Sequence, residues 1–254
     1  MLGEAKNNVA TAEKHGLLAR AYSSLRRMRR IRAYPYYGLL KRIHGHLKPR
    51  TYVEIGVCFG DSIVLGKRAD LCVGIDPSPQ IKVLLPPAAR LYKTTSEDFF
   101  RRYNLSDELG QRKLDLAFID GMHLFEFALR DFVNLERYCG PQSTILVHDC
   151  NPLDAAMAAR KQTQLLWSGD VWKLIPCLKK YRPDLKIRTV DVAPTGLTII
   201  RGLDPASSTL SSRLREIEQE FVPLDFDEAV TDKAQNLNVV AYNWRDIKAF
   251  LSST

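Results

Sequence analysis

The stretch Leu114–Asn151, LDLAFIDGMHLFEFALRDFVNLERYCGPQSTILVHDCN, decides how this chain folds. One apolar run, LDLAFI, stops at Asp120 with His123 close behind, and a second, STILV, stops at His148 and Asp149. Between them Phe125, Leu129, Phe132, Val133 and Leu135 recur at helical spacing, which predicts a helix over roughly 124–139. Strand, helix, strand is the repeating unit of a parallel sheet. In open sheets of this kind reactive side chains gather beyond the carboxyl ends of the strands, so Asp120, His123, His148 and Asp149 are expected to share one crevice.

The same alternation continues on both sides. Upstream, TYVEIG reads as a buried strand, followed by a glycine turn and a helix starting near Asp61 or Ser62. LCVGID is a second strand, stopped by Pro77 and Pro79, and ARLYKTT a third, after which Ser96 and Asp98 offer helix N-caps. Downstream, Asp154 to Leu166 suits a helical crossover, and KIRTVDV and GLTIIRGL are later strands joined by a turn at Pro194-Thr195-Gly196. The predicted fold is α/β, a Rossmann-like doubly wound, mostly parallel seven-stranded sheet with helices on both faces. It divides into an N-terminal basic helical cap (1–50), a core (51–204) and a helical C-terminal extension (205–254) with helices near 211–221 and 243–252.

A length of 254 residues with 45% hydrophobic content suits one such domain with elaborations. No apolar run approaches the ~18 residues of a membrane span and the N-terminus lacks a secretory pattern, so a soluble, cytoplasmic protein with no membrane partner is expected. The five cysteines are scattered among apolar neighbours without C-x-x-C spacing and read as buried free thiols. The net charge of +8 is concentrated in residues 1–50, with twelve Lys and Arg against two acids. There Arg26, Arg27, Arg29, Arg30 and Arg32 interrupt an apolar stripe of Leu18, Tyr22, Leu25 and Met28. Such a helix is read first as a solvated face over the core, and second as a surface for an anionic substrate, nucleic acid or acidic partner.

In Glu54-Ile-Gly56-Val-Cys-Phe-Gly60 the glycines stand where strand becomes helix and a nucleotide-containing ligand can approach the backbone. Asp76 lies at the end of the second strand, where a carboxylate commonly accepts ribose hydroxyls. The turn departs from the G-x-G-x-x-G of pyrophosphate-binding folds, and Glu54 beside it suits a cationic amino group better than a pyrophosphate. On these residues the chain resembles the class I S-adenosylmethionine-dependent methyltransferases. The resemblance implies that Glu54, Gly56 and Gly60 hold the methionine end of the cofactor and Asp76 its ribose. Ser96 and Asp98 would then lie near adenine, with Asp120 joining the cofactor set.

Asp120-Gly121-Met122-His123, then Asp131, Gly140-Pro141 and His148-Asp149, further resemble the macrocin and mycinamicin sugar O-methyltransferases over roughly residues 50–200. That resemblance implies His123 as general base and a magnesium ion on the carboxylates, with Asp120, His148 and Asp149 as the metal set. A sugar hydroxyl has a pKa far above 7, so a base such as His123 (~6.5 when unperturbed) assists its attack on the sulfonium methyl. A hard cation would lower that pKa further. The chain departs from the metal-binding pattern by carrying His148 and Cys150 on either side of Asp149, types that suit softer metals, although Asn151 could substitute as an oxygen ligand.

Other roles stay open for several of these residues. His123 could cap the following helix, Asp131 could be a structural partner, His148 could orient Asp149, and Trp167 and Trp172 could line the acceptor pocket or belong to the core. The implied partner is a small-molecule hydroxyl acceptor, a sugar or glycosylated natural product, with a homodimer as the family expectation and nucleic acid disfavoured. The alternatives are a nucleic-acid methyltransferase using the basic N-terminal helix, a non-catalytic S-adenosylmethionine-binding protein and, more distantly, an NAD-dependent oxidoreductase.

Overall fold

The structure, a computed structural model, describes residues 34–253, and the arginine-rich helix expected before them lies outside the described residues. The chain begins with α1 (Tyr36–Leu47), β1 (Thr51–Ile55), a 3-10 turn at Ile63–Gly66, β2 (Leu71–Ile75) and β3 (Ala89–Tyr92). It continues through α2 (Ser96–Arg102), α3 (Leu105–Glu108), β4 (Leu114–Ile119), α4 (Phe125–Glu136) and β5 (Cys139–His148). After the short α5 (Ala155–Ala158) come α6 (Leu174–Tyr181), β6 (Lys186–Asp191) and β7 (Leu197–Arg201). The C-terminal part holds α7 (Leu214–Phe221), α8 (Phe226–Ala229), α9 (Lys233–Asn236), β8 (Val239–Ala241) and α10 (Trp244–Ser252).

The sheet order is β3-β2-β1-β4-β5-β7-β6-β8, with β7 antiparallel to both its neighbours and every other pairing parallel. Side chains along a strand point alternately to opposite faces, and the sequence fills both. Val53, Ala117, Ile119, Ile145 and Val147 face α4 and α6, whereas Tyr52, Leu116, Phe118 and Leu146 face α1 and α10. Each of the large side chains closed off this way contributes on the order of 1.5–3 kcal/mol. The chain reverses its winding between β1 and β4, so their carboxyl ends open the crevice in which α/β sheets bind ligands.

Four expectations are corrected. The sheet has eight strands rather than seven, because Val239–Ala241 of the C-terminal extension pairs with β6. The helix expected at Asp61 or Ser62 is only the 3-10 turn at Ile63–Gly66. The cap of α2 is Thr95, whose hydroxyl accepts from the Asp98 amide, so neither Ser96 nor Asp98 holds that position. The crossover over Asp154–Leu166 is helical only at α5. Asp154 caps it through the Met157 amide, but Trp167 Nε1 then donates to Ala159 O and Arg160 reaches Glu126 and Asp170, so tertiary contacts override helix propensity.

Candidate active site

Gly56 and Gly60 take φ values of 88° and 86°, and Cys58 between them is also left-handed at 48°. A Cβ on Gly56 would lie 1.9 Å from the carbonyl oxygen of Asp120, so only glycine lets the first turn pass beneath the end of β4. The turn is bonded to its neighbours on both sides: Gly56 N donates to Ile75 O, and Asp120 N to Ile55 O. Asp76 accepts from the amides of Cys58 and Ser78, both at 2.7 Å, which fixes its carboxylate against the turn.

Glu54 lies beneath the turn, fully buried, accepting from the Tyr52 hydroxyl at 2.6 Å and from Ser62 Oγ at 2.7 Å. Burial pushes its carboxyl up to about 8, against the lowering effect of those two hydroxyls. The sequence offers Ser62 only as a helix start and not as a site residue. Its signal is its position two residues past Gly60, where the turn brings its hydroxyl back over the strand. Ser96 shares a cavity of about 270 Å³ with Asp131, and its hydroxyl partly offsets the burial that raises Asp131 to about 7. Asp98 turns instead to Arg101 and Arg102 of its own helix.

At the ends of β4 and β5 the four expected side chains do meet. His148 Nδ1 lies 3.1 Å from Asp120 Oδ1 and 3.2 Å from Asp149 Oδ1. Its Nε2 is 3.4 Å from the Thr195 hydroxyl, which itself donates to Asp149 Oδ1 at 2.5 Å. Because the Thr195 proton is committed to Asp149, both nitrogens of His148 face acceptors, and the ring is held as imidazolium. Burial opposes that charge, but Asp149 and Asp120 outweigh it and raise the ring to about 10. Tyr36 of α1 stacks on the same ring with centroids 4.0 Å apart.

His123 Nδ1 stands 3.0 Å from Asp149 Oδ2, and its Nε2 3.9 Å from Asp120 Oδ1. The Nδ1 contact is not aligned as a hydrogen bond, so the attraction is chiefly Coulombic. Here too burial lowers the pKa, and Asp149 followed by Asp120 reverses it, leaving His123 at about 9. Asp149, in turn, is held far below the usual carboxylate range by its two histidines despite its burial. Two imidazolium rings thus balance two carboxylates, the condition under which buried charge is tolerated. His148 and Asp149 are closed off from solvent, whereas His123 and Asp120 are only partly covered.

Three further residues belong to this site, and the sequence alone gave them no such role. Thr195 lies at the tip of the turn that joins β6 to β7. Gly169, at φ 61°, packs its backbone so close to His123 that a Cβ would sit 1.7 Å from the His123 carbonyl oxygen. Asp170 accepts from the Phe125 amide at 2.8 Å, capping α4 directly after His123, and pairs with Arg160 and Lys173. Trp167 stacks on His123 at 5.4 Å with planes 12° apart, so it lines the site, whereas Trp172 is a core residue. Cys72, Cys139, Cys150 and Cys177 are buried thiols as expected, but Cys58 is exposed. Cys150 turns its sulfur toward the His148 carbonyl and burial raises its thiol to about 12, so it presents no thiolate to the cluster. Asn151 engages Asp191 with its amide.

The acidic and imidazole atoms of Asp120, His123 and Asp149 all lie within 4.8 Å of one another, which fits one metal ion. The imidazole gathered with the two carboxylates is that of His123, while His148 is wedged between them. Two carboxylates and an imidazole suit manganese or zinc better than magnesium, which prefers an all-oxygen shell. Among the described residues no helix is long and apolar enough to cross a membrane.

Residues 53–150, which contain the glycine turn and the histidine-aspartate cluster, match the family model described as a methyltransferase domain. The likeness to a methyltransferase domain therefore lies in the part of the chain that carries the site. The fold of the chain is similar to that of the cofactor-bound Rv0187 from MTB, with a TM-score of 0.53 and 13% identity over 67% of this chain and 80% of that one. An O-methyltransferase from Bacillus cereus, determined in complex with SAH, aligns with a TM-score of 0.50 and 13% identity over 66% and 80% of the two chains. No curated protein matches the chain.

Proposed function

We propose that the chain is an S-adenosylmethionine-dependent O-methyltransferase acting on a hydroxyl of a small molecule, a sugar or glycosylated natural product. The observation that carries this reading is the placement of His123, a half-covered imidazole 3.0 Å from a buried aspartate at the end of β5. It is the member of the cluster best placed to meet an acceptor, and its partner Asp149 stabilises the charge it gains on taking a proton. In this reading Gly56, Gly60 and Asp76 cradle the cofactor, with Glu54 and Ser62 beneath the turn and Asp120 at its far side. Ser96 lies toward adenine, and Asp98 contributes only through its helix.

The cofactor supplies an electrophilic methyl group. The protein orients the acceptor hydroxyl in line with it and removes the hydroxyl proton to His123. Because Asp149 keeps His123 protonated up to about 9, its basic form becomes more populated as pH rises toward that value. A divalent ion, where bound, would rest on Asp120, His123 and Asp149 and lower the hydroxyl pKa; His123 would then act as ligand rather than base.

The test is His123→Ala assayed for S-adenosylhomocysteine formation with a panel of hydroxylated acceptors, alongside calorimetric binding of S-adenosylhomocysteine. Transfer is expected to fall by about 10²–10⁴-fold with cofactor affinity kept. Full turnover in a folded variant would refute the assignment.

A further inference from the structure

Asp131 is a buried acid on α4 that the methyl-transfer chemistry leaves without a task. Among the described residues no cation pairs with it, and what eases its burial is the Ser96 hydroxyl, so its carboxyl is raised to about 7. A buried carboxyl that serves the fold has stronger partners, as Glu136 has Arg182 and the Asp204 amide, and Asp170 has Lys173 and the Phe125 amide. Asp131 has neither a cation nor an amide.

Its position joins two spaces. Asp131 lines the cavity of about 270 Å³ between α2 and α4, together with Ser96, Phe100, Phe127, Val133 and Asn134. It also lines the crevice where Asp120, His123 and Asp149 meet. Its Oδ2 lies 3.8 Å from the point a Cβ on Gly121 would occupy, and Gly121 Cα lies 2.9 Å from the corresponding point on Gly56. The carboxyl therefore stands directly behind the contact between the glycine turn and the end of β4. Of the charged side chains at the cavity's rim, Arg101 turns to Asp98 and Arg130 to Glu218, while Glu97 and Arg137 are exposed to solvent. The other flank of the turn is crowded, because a Cβ on Gly60 would lie 2.9 Å from Val83, 3.4 Å from Ile81 and 3.5 Å from Leu85. A nucleoside laid over the turn with its ribose at Asp76 thus finds room for its base on the side of Asp131.

We infer that Asp131 reads the base of the nucleoside cofactor, its carboxyl meeting the amino edge of adenine, N6 and the neighbouring ring nitrogen, in the cavity between α2 and α4. This rests on the S-adenosylmethionine reading for the ligand and on the isolation of Asp131 for the contact. A protonated carboxyl carries one O–H donor beside one carbonyl acceptor, the same pair that an asparagine offers to adenine. Adenine supplies the complement, an N6 hydrogen for the carbonyl and a ring-nitrogen lone pair for the O–H. Hypoxanthine carries an oxygen in place of the amine and leaves the carbonyl facing another acceptor. The absence of a paired arginine or lysine suits this role, since a cation beside the carboxyl would hold it ionised and remove its donor.

The experiment uses the whole chain and two ligands that differ only in the base, S-adenosylhomocysteine and S-inosylhomocysteine. Binding is measured by calorimetry below the Asp131 midpoint of about 7, on the parent, Asp131→Asn and Asp131→Leu. The parent should favour the adenine ligand by about 10–100-fold, Asp131→Asn should keep most of that preference through its amide, and Asp131→Leu should lose it. Leucine is close to aspartate in shape and removes the buried polar group, so the variant is expected to fold, which circular dichroism verifies. Asp131→Ala carries the same expectation if the leucine variant does not fold. A residue that merely holds α4 in place would weaken both ligands equally and leave their ratio unchanged. Equal binding of the two ligands by the parent, or a preference kept in the leucine or alanine variant, overturns the inference and leaves the cofactor reading standing. Failure of S-adenosylhomocysteine to bind the folded parent refutes the cofactor reading itself and takes the inference with it.

Discussion

His123 Nδ1 and Asp149 Oδ2 meet at 3.0 Å, and both residues reach that contact from left-handed backbone, with φ of 59° and 67°. Such a conformation costs a non-glycine residue on the order of 1 kcal/mol or more, and it persists only where the surroundings enforce it. Here the Gly169 backbone against the His123 carbonyl and the Thr195 hydroxyl on Asp149 do so. The pairing also sets the proton affinity of His123, and this gives the first prediction. In Asp149→Asn the ring loses its largest charge-stabilising partner while its burial stays. Its midpoint in an NMR titration is expected to fall from about 9 to below the ordinary histidine value of ~6.5. A variant still titrating near 9 would show that Asp149 is not the cause.

Glu54 is a second pH-sensitive point. Its folded value of about 8 lies above its unfolded one, so the protonated carboxyl's contribution to stability is complete below the unfolded value and is lost as pH rises through 8. Glu54→Gln should match the parent's stability near pH 5 and exceed it near pH 9, by on the order of a few kcal/mol in denaturant titrations. If the carboxyl meets the cofactor's ammonium group, it must ionise on binding. Calorimetry near pH 7 in two buffers of different ionisation heat should then register proton release in the parent and none in Glu54→Gln.

Thr195→Val keeps the shape of the side chain and deletes the hydroxyl shared by Asp149 and His148. A loss of about 1–3 kcal/mol in stability is expected, since it strands buried polar partners. Thr195→Ser should retain most of it. Equal melting temperatures for the valine and serine variants would remove Thr195 from the network.

Gly169→Ala places a Cβ on the carbonyl of His123 and forces an L-residue into φ 61°. It should destabilise the chain by about 3 kcal/mol or more. Cofactor affinity should survive in the folded fraction, because Gly56, Gly60 and Asp76 are untouched. Gly45→Ala, where a Cβ would meet nothing within 4 Å, is the matched control and should melt with the parent or above it.

The donor set makes its own prediction about metals. After chelation, calorimetric titration should show manganese or zinc binding more tightly than magnesium, with binding lost in Asp120→Asn. Magnesium as the tightest binder would contradict the role assigned to His123 as a ligand.

The parallel core was readable because β1, β2, β4 and β5 are apolar runs ended by glycine, proline or acid, and because α4 carries a clean helical stripe. The four-residue cluster followed from the same logic, since the ends of adjacent parallel strands must be neighbours. What the sequence hid depends on contacts between distant residues. Asp170 caps α4 from forty-five positions away, and Arg160 holds the segment after α5 out of the helix its composition favours. The strand Val239–Ala241 is too short and too exposed for alternation to mark it. Glu54 was legible as a member of the glycine turn, but its burial under Tyr52 and Ser62 was not, because that depends on which face of β1 meets α1.

The single antiparallel strand, β7, has a consequence for how the site could be altered. Because β6 runs the same way as β5, the tight turn between β6 and β7 comes up at the reactive edge and delivers Thr195 from a hairpin tip rather than from a strand terminus. Residues 193–196 are therefore an exchangeable cassette: a graft there would change what presses on Asp149 and His148 while leaving the hydrogen-bond ladder of the five parallel strands intact.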